Sequence, residues 1–211
     1  MPVYLTKKRP DGSQIALWQM TESVMELFAL ADASEKLKEE VGRLRSETRK
    51  KEWLTLRVLL KDVLSIAHPG EIMYDSKGKP HLKNGNGNIS FSHTKNFAAI
   101  IFHPKKNVGI DIETAHERVE KISRKFVNTD EGAFIKNERR METLHIIWGV
   151  KEVLFKIYGK GGVDFKKHLH VHPFIPENEG TVDAEMRMEN MISDFRINYF
   201  FSGDLVVVFG S

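Results

Sequence analysis

The segment ISFSHTKNFAAIIFHPKKNVGIDIE, residues 89–113, decides the fold. Ile89 to Ser92, Phe97 to Phe102 and Val108 to Ile112 are three runs of strand length, bounded by turn chemistry and rich in β-branched and aromatic residues. They read as three consecutive strands. The polar stretch Lys105-Lys106-Asn107 lies before the last of them and marks a seam in the chain.

Upstream, Ile72-Met73-Tyr74 reads as a short strand, Asp75 to Pro80 as a turn, and Asn84 to Asn88 as a loop of residues that tolerate positive φ. Earlier still the pattern is helical. Ser46 can cap a helix with Glu47 in its first turn, and Trp53, Leu56, Leu60, Val63 and Leu64 give it one apolar face. Pro69-Gly70 ends it. Arg49 and Arg57 fall off that face. A charged helical stretch covers Ser34 to Arg45, and Thr21 is placed to cap a helix carrying Val24, Met25, Leu27 and Phe28. Ile15 to Trp18 reads as a strand.

Downstream, helical patterning runs from Val119 to Tyr158 in several pieces, with a helix start at Thr129-Asp130-Glu131 and a stop at Gly159 to Gly162. Strands follow at Leu169 to Phe174, near Met186, at Phe195 to Phe201 and at Leu205 to Phe209. The last two form a hairpin across Ser202-Gly203-Asp204. The order is thus helices then strands, twice, without a residue-level repeat or a low-complexity linker. The expected fold is α+β in two halves, 1–105 and 106–211, each with helices packed on a small, mostly antiparallel sheet.

Composition narrows the function. The 211 residues include no cysteine. Disulfides, zinc–thiolate sites and cysteine nucleophiles are excluded, and a reducing cytoplasm fits. No secretory signal is visible at the N-terminus, and no apolar run approaches the roughly 20 residues of a membrane helix. Net charge is +3, from 32 basic and 29 acidic residues, which does not predict nucleic-acid binding by bulk electrostatics. Arg43, Arg45, Arg49, Lys50, Lys51 and Arg57 cluster within fifteen positions. They read as a solvated helix face that could hold a small polyanion.

Three features could carry chemistry. Asp111 and Glu113 sit at i and i+2 on a strand, so they share a face and repel each other unless a cation intervenes. An oxygen-only pair suits Mg²⁺, although D-x-E also occurs at ordinary strand ends. Trp148, Glu152 and Lys156 sit at i, i+4 and i+8 on a helix. Glu152 could join the carboxylates or accept a proton, and Lys156 could hold a phosphate oxygen. The plainer alternative is a helix-stabilising Glu–Lys pair. Ser92 and His93 end a strand where a phosphate could be bound, or where a serine simply caps a turn.

Taken in order, the basic helix with Arg57, Gly78-Lys79-Pro80, Phe91-Ser92-His93-Thr94, Gly109-Ile110-Asp111-Ile112-Glu113 and Trp148-x-x-Lys151-Glu152-x-x-x-Lys156 resemble the 4′-phosphopantetheinyl transferase superfamily. The likeness is to its longer, two-half class, typified by the activator of surfactin synthetase. By motif it covers roughly residues 15 to 160, with the C-terminal strands agreeing in pattern only. The resemblance implies two pseudo-symmetric halves in one monomeric chain. It implies transfer of 4′-phosphopantetheine from coenzyme A to a serine of an apo acyl or peptidyl carrier protein, releasing adenosine 3′,5′-bisphosphate. It assigns Mg²⁺ to Asp111, Glu113 and Glu152, proton abstraction to Glu152 and the pyrophosphate to Lys156. It gives the 3′-phosphate to His93 and Arg57 with Arg49 or Lys50, the adenine border to Lys79 and Pro80, and phosphate support to Ser92. The N-terminal half would then contact coenzyme A. The C-terminal half would hold metal, catalytic residues and the carrier, with Lys121, Arg124 and Lys125 as docking candidates. Glu131 matches an acidic position that some members place near the metal. Two departures stand out. Gly149 replaces the usual Ser or Thr at a cost of about 1 kcal/mol in helix propensity, and Val153 is bulkier than usual beside the site. The alternatives are a non-catalytic relative that binds coenzyme A or a carrier, and a Mg²⁺-dependent hydrolase of nucleotide diphosphates.

Overall fold

Four consecutive apolar residues, Ile15 to Trp18, make Gln14–Gln19 (β2) an inner strand, and all four side chains are buried. On one side it pairs antiparallel with Val3–Lys8 (β1), which sequence patterning does not reveal. On the other it pairs with Phe97–His103 (β6), and Asn88–His93 (β5) completes an antiparallel sheet of order β1-β2-β6-β5. The computed structural model describes residues 3–31, 34–63, 72–83, 85–115, 118–189 and 191–211. The chain divides into two compact units, Met1–Lys106 and Asn107–Ser211.

In the first unit the helices are Val24–Leu30 (α1), Glu35–Gly42 (α2) and Glu47–Val58 (α3), each opened by a serine. The hydroxyls of Ser23, Ser34 and Ser46 accept the backbone N–H three residues on, satisfying donors that the helix itself cannot. Ser23, not Thr21, caps α1. Glu26 returns the bond to the Ser23 N–H, a reciprocal box that Thr21 cannot form. The charged stretch is helical only over Glu35–Gly42. α3 buries Leu54, Leu56 and Val58 in a core with Trp18, Leu27 and Ile100. Its continuation widens to a π-type turn over Leu59–Val63. The Val63 side chain, Leu64, Pro69-Gly70 and Asn84 lie outside the described residues. Ile72–Tyr74 (β3) and Pro80–Leu82 (β4) form a separate hairpin.

The second unit opens with Gly109–Thr114 (β7). It continues through Arg118–Ile122 (α4), Thr129–Phe134 (α5) and the long Arg140–Tyr158 (α6). Then come Leu169–Val171 (β8), which is shorter than the strand expected to Phe174, Glu179–Met188 (β9), Met191–Ser202 (β10) and Leu205–Gly210 (β11). The sheet order is β7-β11-β10-β9-β8, antiparallel throughout. The β10–β11 hairpin turns at Gly203-Asp204, with Ser202 opposite Leu205. Each unit follows one pairing scheme: its last strand lies beside the strand that precedes its helices, β6 beside β2 and β11 beside β7.

Two glycines let α6 lie close on this sheet. A Cβ on Gly149 would come 2.5 Å from Val208 Cγ2 on β11, and a Cβ on Gly109 would collide with the Val153 carbonyl. Gly149 is therefore a packing requirement more than a helix defect, which reverses the expected sign of its cost. Val153 is fully buried in the core of this unit rather than bordering the site. Among the described residues, no helix is long and apolar enough to cross a membrane.

Candidate functional site

The period of two along β7 puts Asp111 and Glu113 on one face, and the period of 3.6 along α6 puts Trp148, Glu152 and Lys156 on one stripe. Packing of α6 on β7 brings the two sets together. Lys156 Nζ donates to Asp111 Oδ1 at 2.7 Å and to the Ile110 carbonyl at 2.8 Å. Trp148 Nε1 donates to Glu113 Oε1 at 3.1 Å. Glu152 lies between these anchors along the helix.

The charges explain the protonation behaviour. Burial pushes the Glu152 carboxyl up to about 7, and the charges of Asp111 and Glu113 push the same way while Lys156 opposes them. Glu113 is raised too, first by burial and then by Asp111. Three carboxylates thus share one poorly solvated neighbourhood with one ammonium. A divalent cation would supply the missing positive charge, and an all-oxygen donor set fits Mg²⁺ by type. Among the described residues, no group of three or more acidic or histidine side chains is already arranged to hold a metal ion. The Lys156–Asp111 contact stands where a cation would compete, so binding one requires these side chains to shift.

The remaining candidates lie in the first unit. Glu52 on α3, only 7% exposed, accepts from Arg49 Nη1 at 2.9 Å and meets His93 Nδ1 at 3.2 Å. Arg49 Nη1 lies 3.3 Å from His93 Nε2. Arg49 and His93 are therefore joined by a buried carboxylate that sequence reasoning missed. Its one signal was the three-residue spacing from Arg49. Ser92, next to His93 on β5, is buried. Lys50 instead pairs with Glu47 on the exposed side of α3.

Arg57 is not off the apolar face, for it is 2% exposed. Its guanidinium stacks over the Trp53 ring and donates to the Trp53 carbonyl at 3.1 Å. A planar, weakly hydrated group tolerates such burial, which pulls its pKa down to about 10 against the favourable influence of Tyr74 and Glu40. Lys79 is half-buried at the β3–β4 turn, where its backbone N–H donates to Asp75, and Pro80 opens β4 opposite Tyr74.

Glu131 is placed away from Asp111, Glu113 and Glu152 by its own bonds. It is 1% exposed, closes the N-terminal box of α5 with Asn128, and pairs with buried Lys151 at 2.7 Å. Lys121, Arg124 and Lys125 are all exposed, at and just beyond the end of α4.

None of the curated proteins compared with the chain matches it. Residues 107–200, from the residue before Val108 and β7 to most of β10, match the family model of the 4′-phosphopantetheinyl transferase superfamily. That stretch lies within the second unit and contains Asp111, Glu113, Trp148, Glu152 and Lys156.

Proposed function

We propose that the protein is a Mg²⁺-dependent 4′-phosphopantetheinyl transferase acting from coenzyme A on a serine of an apo acyl or peptidyl carrier protein. The observation that carries this reading is Glu152, a carboxyl with a pKa near 7 set between two further carboxylates and a lysine. In the metal-free site burial and the two neighbouring carboxylates raise its proton affinity, the direction a general base needs, and a bound Mg²⁺ would lower it again. In the reaction the carrier serine oxygen forms a bond to the phosphorus that bears pantetheine. The bridging phosphate bond breaks, adenosine 3′,5′-bisphosphate leaves, and the serine proton goes to Glu152 directly or through a water. Lys156 holds a pyrophosphate oxygen and offsets charge that develops on the leaving group. Mg²⁺, when held by Asp111, Glu113 and Glu152, supplies neutralisation of the pyrophosphate.

The second unit would thus carry metal and catalysis, and its exposed Lys121, Arg124 and Lys125 suit an acidic carrier. In the first unit Arg49 and His93 are the candidates for the 3′-phosphate, with Arg57 and Lys50. Lys79 and Pro80 would border the adenine, and Ser92 would support the phosphates. The cysteine-free chain would act as a monomer in the cytoplasm. Chromatography of adenosine 3′,5′-bisphosphate tests the reaction class. Release is expected only when coenzyme A, Mg²⁺ and an apo carrier with its serine are all present. Release without the carrier would make the protein a hydrolase instead.

A further inference from the structure

Lys151 lies next to Glu152 in sequence but turns the other way, into the interior of the second unit. It is fully buried, and all three of its N–H donors are used. They go to the Phe126 carbonyl at 2.6 Å, Glu131 Oε2 at 2.7 Å and the Phe165 carbonyl at 2.9 Å. Glu131 Oε2 also accepts from Asn128 N at 2.9 Å, and Oε1 from Val171 N at 3.0 Å. One buried ion pair therefore ties together α5, α6, β8 and two loop segments.

Stability alone does not account for it. Two charges removed from water cost more than an apolar pair of the same volume, which would often serve a core as well. What an ammonium adds is direction. The two carbonyls it holds belong to Phe126 and Phe165, and the rings of these same residues flank the Trp148 indole, with centroids at 5.1 Å and 5.6 Å. Trp148 in turn donates its only side-chain proton to Glu113. The charges that act on Lys151 are those of Glu131, Asp164 and Lys166, none of them a site carboxylate. Its influence on the site is mechanical.

We infer that Lys151 and Glu131 are positioning residues for Glu113. They fix the backbones of Phe126 and Phe165, whose rings set the plane of Trp148, whose N–H aims the Glu113 carboxylate. Glu131 belongs to this relay and not to the metal ligands. The geometry stands on its own contacts, while its catalytic consequence rests on the function proposed above.

The test is ¹⁹F NMR of protein labelled with 5-fluorotryptophan. The chain has three tryptophans, Trp18, Trp53 and Trp148, so three lines are expected and Trp148→Phe assigns one. In the double variant Lys151→Met with Glu131→Leu, which leaves no uncompensated charge, the Trp148 line should shift or broaden while those of Trp18 and Trp53 stay. Carrier modification should fall by ~10- to 100-fold in kcat, as for the loss of an outer partner at a metal site, with KM for coenzyme A unchanged. Should the double variant fail to fold, Lys151→Gln with Glu131→Gln removes both charges, keeps polar side chains at both positions and gives the same readout. Three unmoved lines in a folded variant would overturn the relay. An equal rise of KM with no change in kcat would overturn its link to Glu113. If wild type transfers nothing to any carrier, the function falls, while the ¹⁹F lines still decide the relay.

Discussion

Glu152→Gln should stabilise the free protein while abolishing its activity. In the folded state this carboxyl titrates at about 7, against an ordinary value of 4.5. The difference of about 2.5, at about 1.36 kcal/mol per unit, is about 3 kcal/mol of folding stability lost on ionisation. The folded pKa is raised, so the native state binds the proton more tightly than the unfolded chain. The benefit is complete below the unfolded pKa and is lost as the pH rises through the folded one. Glutamine keeps the shape without the charge, so the variant escapes the loss. Thermal melts in EDTA should show no difference near pH 4 and a gap of ~6–12 °C near pH 8, at ~2–4 °C per kcal/mol for a chain of this size. Wild type should regain the gap when Mg²⁺ is added and the variant should not. Equal melting temperatures near pH 8 would refute the crowding of Glu152 by burial and by Asp111 and Glu113.

Other perturbations probe other parts of the account. Gly149→Ala should gain about 1 kcal/mol of helix propensity and lose about 1–3 kcal/mol to overpacking against stiff Val208, a net loss in urea denaturation that Val208→Ala relieves. A more stable Gly149→Ala would show that α6 can rise off β11. Arg49→Gln and His93→Gln should each weaken coenzyme A by ~10-fold or more, since a charge-assisted bond contributes about 1.5–3 kcal/mol, and should leave 3′-dephospho-coenzyme A unaffected. Equal losses for both ligands would remove these residues from the 3′-phosphate. Lys156→Met should lower kcat by ~100-fold or more. It should also move the acid limb of the pH–rate profile upward, because the ammonium that lowers the Glu152 pKa is gone. A limb that stays in place would detach Lys156 from Glu152.

Much of the site was legible because period alone fixes which side chains share a face. Asp111 with Glu113, and Trp148 with Glu152 and Lys156, follow from strand and helix geometry without knowledge of the fold. That α6 packs on β7 and β11 does not follow, because it depends on close approach at Gly109 and Gly149, where sequence shows only a missing side chain. Ser46 was readable as a cap from its own neighbourhood. Thr21 and Ser23 are both able acceptors two residues apart, and the choice fell to Glu26. β1 escaped because Val3–Lys8 ends in lysines and alternates weakly, so its register comes from pairing with β2. Arg57 reads as surface by polarity, although its spacing of four from Trp53 and three from Leu60 puts it on their stripe, where its guanidinium stacks on Trp53. The joining of Arg49, Glu52 and His93, and that of Glu131 and Lys151, are tertiary contacts between distant segments.

Intact-mass spectrometry of an apo carrier protein incubated with coenzyme A, Mg²⁺ and this protein tests the central claim most directly. The account predicts that the carrier gains one phosphopantetheinyl group on its serine, that EDTA prevents the gain, and that the Glu152→Gln protein gives none. A carrier panel of unchanged mass despite intact coenzyme A binding, or full modification by Glu152→Gln, would contradict it.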